Sequence, residues 1–295
     1  MQEYNKRLAK EIKQISKEII ILSIGRLICF FIGLISLFFM EEDVWLLTPF
    51  LSAVFVVMFS VHIRKKEYRK KKLARDIIIT TLAQTMDVIG YHTSRRIPET
   101  SVRGTCLLPA WDKYSGHGVA DCIYRNLGVS ISDIFLEKKQ VVYDSKGRIH
   151  TSYIPVFEGQ WVIIELPKSL KCSITIRERG RFECAQLGRT VLTPNKEFNK
   201  RFCVESDNEF AALSILTPHF MDYLLNLEKL TVGKIYFSFR RNLIHIAISN
   251  DRNFFEIQSF GNDLELLQTK IEEETEYITN IIDELLLNPF LHRMT

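Results

Sequence analysis

The chain has 295 residues, 46% apolar and 25% charged, with 39 Lys+Arg against 35 Asp+Glu. That usage is globular and excludes a disordered tail, a collagen-like fibre and a disulfide-dense miniprotein, and the length allows about two domains. The net charge of +4 is unevenly held: residues 1–75 carry 14 basic and 7 acidic side chains, and the other 220 residues carry 25 and 28. The folded remainder therefore has no basic run for nucleic acid. Its pairs Arg95-Arg96, Lys138-Lys139 and Arg240-Arg241 read as loops or solvated edges.

Residues Ile19–Met40 are a largely apolar stretch of 22 residues with one charge, Arg26. Glu41-Glu42-Asp43 follow, and Val44–Ile63 then contains no Asp, Glu, Lys or Arg. About 20 helical residues cross the ~30 Å hydrocarbon core, so each stretch is long enough to span. The first ends in Phe38-Phe39-Met40, which lacks the small residues of a signal-peptide cleavage site. The pair predicts a transmembrane hairpin over residues 19–63.

Lys6, Arg7, Lys10, Lys13 and Lys17 precede it, and Arg64, Lys65, Lys66, Arg69, Lys70, Lys71 and Lys72 follow. Lys/Arg-rich flanks stay in the cytoplasm, which predicts a multi-pass protein of the cell (inner) membrane with both termini cytoplasmic. The run Arg64–Lys72 is also the expected contact for anionic lipid. Arg26 reads as a snorkelling side chain, Trp45 as an interfacial aromatic, and Pro49 as a first-turn proline.

Beyond the hairpin, Tyr68–Ile89 reads as a basic juxtamembrane helix, and residues 91–119 as an irregular connection. A period of two then appears. Gly128–Glu137, Lys139–Tyr143, Ser152–Phe157, Gln160–Leu166 and Ser173–Arg177 read as strands of an antiparallel meander covered on one face, with turns at Asp144–Gly147 and Glu158-Gly159. Val204–Ser206 reads as a short strand and Asn208–Leu213 as a helix capped by Asp207. Thr217-Pro218 opens a helix over Pro218–Leu230. Ile235–Phe239 and Leu243–Ile248 form a hairpin. Asn262–Leu287 reads as an acidic helix with Leu267, Ile271, Ile278, Ile281, Ile282 and Leu285 inward, packed on the domain in preference to a homo-oligomer seam. The fold class is α+β: a basic N-terminus over 1–18, the transmembrane hairpin over 19–63, a juxtamembrane helix over 64–90, and over 91–295 a cytoplasmic domain with a mainly antiparallel sheet and packed helices.

Chemistry-bearing motifs are scarce. Six cysteines occur without C-x-x-C or zinc-ribbon spacing, and the histidines are dispersed. No phosphate-binding loop, serine elbow or H-E-x-x-H motif occurs. His117, Asp121 and Cys122 fall within six residues beside Gly116 and Gly118, which makes them weak candidates for a cysteine nucleophile with a histidine base. The turn at Gly180, between Arg179 and Arg181, is a second weak candidate, for an anion. The reading includes no metal and no cofactor.

Phe198-Asn199-Lys200-Arg201-Phe202-Cys203-Val204-Glu205-Ser206, Ala212 and Ile215-Leu216-Thr217-Pro218-His219-Phe220-Met221 resemble the signature of a bacterial membrane-protein family catalogued as domain of unknown function 3137. Ser238-Phe239 and Asn242–Ile248 are similar to its next block, over a resemblance reaching from about residue 66 to 260. Glu158 stands where the family commonly has a basic residue. The resemblance implies no catalytic residues. Phe198, Phe202 and Val204 read as packing positions. The expected function is a membrane-held binding or scaffolding module for a protein or lipid partner. The alternatives are a hydrolase-like enzyme using His117 and Cys122, and an accessory subunit of a transport or envelope complex.

Overall fold

The computed structural model describes residues 2–37, 47–143, 149–170, 172–180, 189–230, 233–250, 255, 264–288 and 291. The acidic loop Glu41–Asp43, Trp45, the turn Asp144–Gly147, Arg181, Cys184 and His292 lie outside the described residues. The protein is α+β, with two apolar N-terminal helices and an antiparallel sheet domain. It divides into two compact units, Met1–Thr81 with Phe260–Thr269, and Leu82–Ser259 with Lys270–Thr295.

In the first unit, α1 (Gln2–Ser36) and α2 (Leu47–Leu82) are each long and apolar enough to cross a membrane. They run antiparallel. Gly33 faces Ser52 and Gly25 faces Phe59. Further along, Glu18 pairs with Lys66 and Glu11 with Arg69, both at 2.5 Å, and Thr80 Oγ1 donates to Asn5 Oδ1 at 2.8 Å. A Cβ on Gly33 would collide with Ser52 Oγ; in lipid, small residues are what let two helices approach. The basic N-terminal segment is the first half of α1. Leu8, Ile12 and Ile15 are buried, as are Ile63, Ala74 and Ile77 of α2, so helical spacing carries the pairing past the apolar stretch. Arg26 is exposed.

The helix expected to reach Ile89 stops at Leu82, and Asp87–His92 form strand β1. Val88-Ile89-Gly90 explains the change, because β-branched residues favour extended backbone and glycine disfavours helix. The connection expected over 91–119 is also more ordered than its glycines suggested. It holds α3 (Glu99–Thr105) and the start of β2 (Lys113–Tyr124). Gly116 lies inside that strand, where a Cβ would meet the backbone of Asp133. Gly118, at φ 65°, sits at the register shift between His117 and Val119. Both glycines serve a bulged strand.

The four strands expected between 128 and 166 are two, β3 (Leu127–Tyr143) and β4 (Ile149–Glu165), of 17 residues each. Glu158-Gly159 is not a turn but lies within β4, and Gly159 is required because a Cβ would strike Ile248 O of the neighbouring strand. The remaining strands are β5 (Ile174–Glu178), β6 (Arg189–Thr190), β7 (Phe202–Ser206), β8 (Lys234–Arg240) and β9 (Leu243–Ser249). The sheet order is β1-β2-β3-β4-β9-β8-β5-β7-β6, with antiparallel neighbours throughout.

The sheet is covered on both faces, not one. In β7, β8 and β9 consecutive residues, not alternate ones, are buried. One face carries Ile244, Ile246, Phe237 and Phe239 beneath α6 (Pro218–Leu230) and the C-terminal part of α7 (Leu264–Leu286). There Phe220 meets Phe237 edge-on at 6.2 Å, and Ile282 and Leu285 close on Ile164 and Ile244. The inward residues expected on the last helix are all buried.

Caps account for the short helices. Thr217 Oγ1 accepts from Phe220 N at 3.2 Å. Asn208, not Asp207, caps α5 (Glu209–Ile215), and Asp207 accepts from Ser173 N instead. Asn195 caps α4 (Lys196–Arg201), which the sequence reading missed. Phe198 and Phe202 stack at 4.8 Å, and both are buried with Val204.

Candidate functional site

The second face of the sheet is polar under its cover. Strand alternation places Trp161 of β4, His245 of β9, Ser238 and Arg240 of β8, Thr175 and Arg177 of β5 and Glu205 of β7 on it. Register sets His245 opposite Ser238, Ser238 opposite Thr175, and Thr175 opposite Glu205, a polar row across four strands. The segment around α3 lies over this face. Ile97, Val102, Leu107, Leu108 and Trp111 form one cluster with Trp161, Tyr236 and Ala247. Arg177 Nη1 donates to Cys106 O at 3.2 Å, and Arg240 Nη1 donates to Gly104 O.

The row's ionisable groups are spoken for. Arg177 and Glu205 form a buried ion pair at 2.5 Å. Trp161 Nε1 donates to His245 Nδ1 at 3.1 Å, which assigns the ring proton to Nε2 and consumes the acceptor lone pair a general base would need. Burial, and secondarily the Arg240 charge, push the His245 imidazole down to about 4. Thr175 and Ser238, 4% and 0% exposed, have no hydroxyl partner among the described residues. The Arg177–Glu205 ion pair and His245 are partnered and buried, and the histidine is neutral at pH 7.

His117, Asp121 and Cys122 do not form a catalytic group. All three lie on β2, with His117 opposite Asp133 and Cys122 opposite Val129. Four residues along β3 put them about 13 Å apart. His117 is exposed and Cys122 is buried. Burial, then the Asp121 charge, push the Cys122 thiol up to about 12, so it holds its proton at neutral pH. Asp121 Oδ1 accepts from Ser130 Oγ at 2.6 Å. At the Gly180 turn, Lys234 Nζ donates to Arg179 O at 2.6 Å and fills the space beside the glycine. The five described cysteines are free, and no group of three His, Cys, Asp or Glu suited to a metal occurs among the described residues.

The basic run lies on α2. Lys66 and Arg69 are committed to Glu18 and Glu11. Arg64, Lys65, Lys71 and Lys72 are exposed, and Lys70 is half-buried.

The exposed surface offers a different feature. From Lys138 opposite Ile154 to Tyr143 opposite Ile149, β3 and β4 pair, among the described residues, with each other alone. Lys138–Val142 and Ile149–Pro155 are exposed at every position. This two-stranded ribbon is about 20 Å long. It carries Val141, Val142, Ile149, Tyr153 and Ile154 at 43–64% exposure. The period of two in the sequence predicts strands covered on one face, and here both faces of the ribbon are exposed. What separates the ribbon from the core half is the cross-strand neighbour: β2 ends opposite Glu137 and β9 ends opposite Gly159.

Comparison with curated proteins gives no match. Among solved structures, the crystal structure of the mycobacterial trehalose monomycolate transport factor A, TtfA, is similar at a TM-score of 0.37 and 11% identity, over 68% of this chain and 92% of that chain. A family model described as Protein of unknown function (DUF3137) matches residues 155–287. That match holds the whole Phe198–Met221 signature and runs on to the end of α7, but it starts well after residue 66, where the resemblance was expected to begin. Residues 155–287, from the core half of β4 to α7, thus match the model of that family of unknown function.

Proposed function

We propose that the protein is a membrane-tethered binding module. In this reading α1 and α2 both span the membrane, both termini are cytoplasmic, and the α+β domain acts by contact and not by chemistry. The single observation that carries it is the β3–β4 ribbon, which concentrates five large exposed apolar side chains on an element that no described residue covers. An isolated two-stranded ribbon is marginal in water, and exposed apolar clusters mark contact surfaces. The buried polar row and the separated His117 and Cys122 support binding over catalysis. Orientation is supported by the antiparallel helix pair, which brings Lys6–Lys17 alongside Arg64–Lys72, so both basic flanks share one side.

The reading is tested by photocrosslinking full-length protein in its native membranes from position 141. The control is position 126, in the β2–β3 turn. Adducts to a protein or lipid from 141 and none from 126 are expected. Equal absence at both positions contradicts the reading.

A further inference from the structure

We infer that the β3–β4 ribbon docks on an anionic bilayer surface. This rests on the ribbon being the contact element and names what it contacts. Its described exposed residues, 138–142 and 149–155, include Lys138 and Lys139 and no carboxylate. At its base, Glu137 is neutralised by Lys113 at 2.5 Å, and Lys113 Nζ lies 5.5 Å from the centre of the Tyr153 ring. Strand alternation gives both faces the same mixture. Lys139, Val141, Ile149 and Tyr153 share one face, and Lys138, Val142, His150 and Ile154 the other. Lysine with aliphatic and tyrosyl side chains is the composition that settles at a lipid–water boundary, with cations at the headgroups and apolar carbons beneath.

The same charges disfavour a second copy as the occupant. Two ribbons laid together would set lysines against lysines, with no carboxylate among the described exposed ribbon residues to offset them. A bilayer carries the complementary charge. With α1 and α2 spanning a membrane as proposed above, that bilayer is held at high effective concentration for the tethered domain.

The test uses the full chain in nanodiscs, with an environment-sensitive fluorescent amino acid at position 141 and brominated acyl chains as quencher. The discs are phosphatidylcholine alone, or phosphatidylcholine with phosphatidylglycerol. Quenching in the anionic discs only is expected. Lys138→Gln and Lys139→Gln should each weaken it about fivefold, while the same fluorophore at position 126 stays unquenched. Equal quenching in both compositions overturns the anionic preference. Absence of quenching in both overturns the lipid assignment. In that case protein adducts from position 141 in native membranes would leave the binding reading standing, and their absence would remove it as well.

Discussion

Burial makes His245 a source of pH-dependent stability. Its folded value of about 4 lies below the ordinary 6.5, so the unfolded chain binds a proton over that interval and the folded chain does not. Stability is therefore full above pH 6.5 and is lost as pH falls towards 4, by about 3 kcal/mol for a shift of this size. Denaturant unfolding at pH 7 and pH 4.5 measures this, and His245→Gln should shrink the difference. The Arg177–Glu205 pair is tested in the same way. Glu205→Gln strands a buried guanidinium and should cost about 3–5 kcal/mol, while the double change Arg177→Met with Glu205→Met should recover much of it. Equal losses for single and double variants would show that the pair is not the source. None of these residues stood out in the sequence. Thr175, Arg177, Glu205, Ser238 and His245 occupy the polar positions of alternating strands, and alternation cannot tell a watered face from one covered by a distant segment such as 97–111.

At the scale of elements, what was legible followed local rules. Thr217-Pro218 opens α6 where a hydroxyl and a proline belong, and α7 buries the stripe its spacing names. The glycines misled, because a glycine that ends a strand and one that lets a neighbouring backbone approach look alike in a single chain. Gly159 was read as a turn and is a contact point between β4 and β9. Gly159→Ala should therefore destabilise the domain by about 3 kcal/mol through forced separation of those strands. A solvent-exposed turn at that position would lose almost nothing, and a melting curve of the variant separates the two. Cross-strand partners decide such cases, and they are set by topology rather than by the nearest ten residues.

The whole molecule was legible mainly through charge. The +4 of the full chain describes neither part; the basic side chains gather where α1 and α2 run together, and the remainder is mildly acidic. That partition, with two apolar stretches between the basic flanks, is the basis for a tethered domain. The most direct measurement is labelling by a membrane-impermeant maleimide in intact cells and in inverted vesicles, over the background of the native chain. A cysteine at Glu42 should label in intact cells only, and one at Thr93 in inverted vesicles only. Labelling of both positions from the same side would contradict a two-span hairpin and with it the tethered binding module.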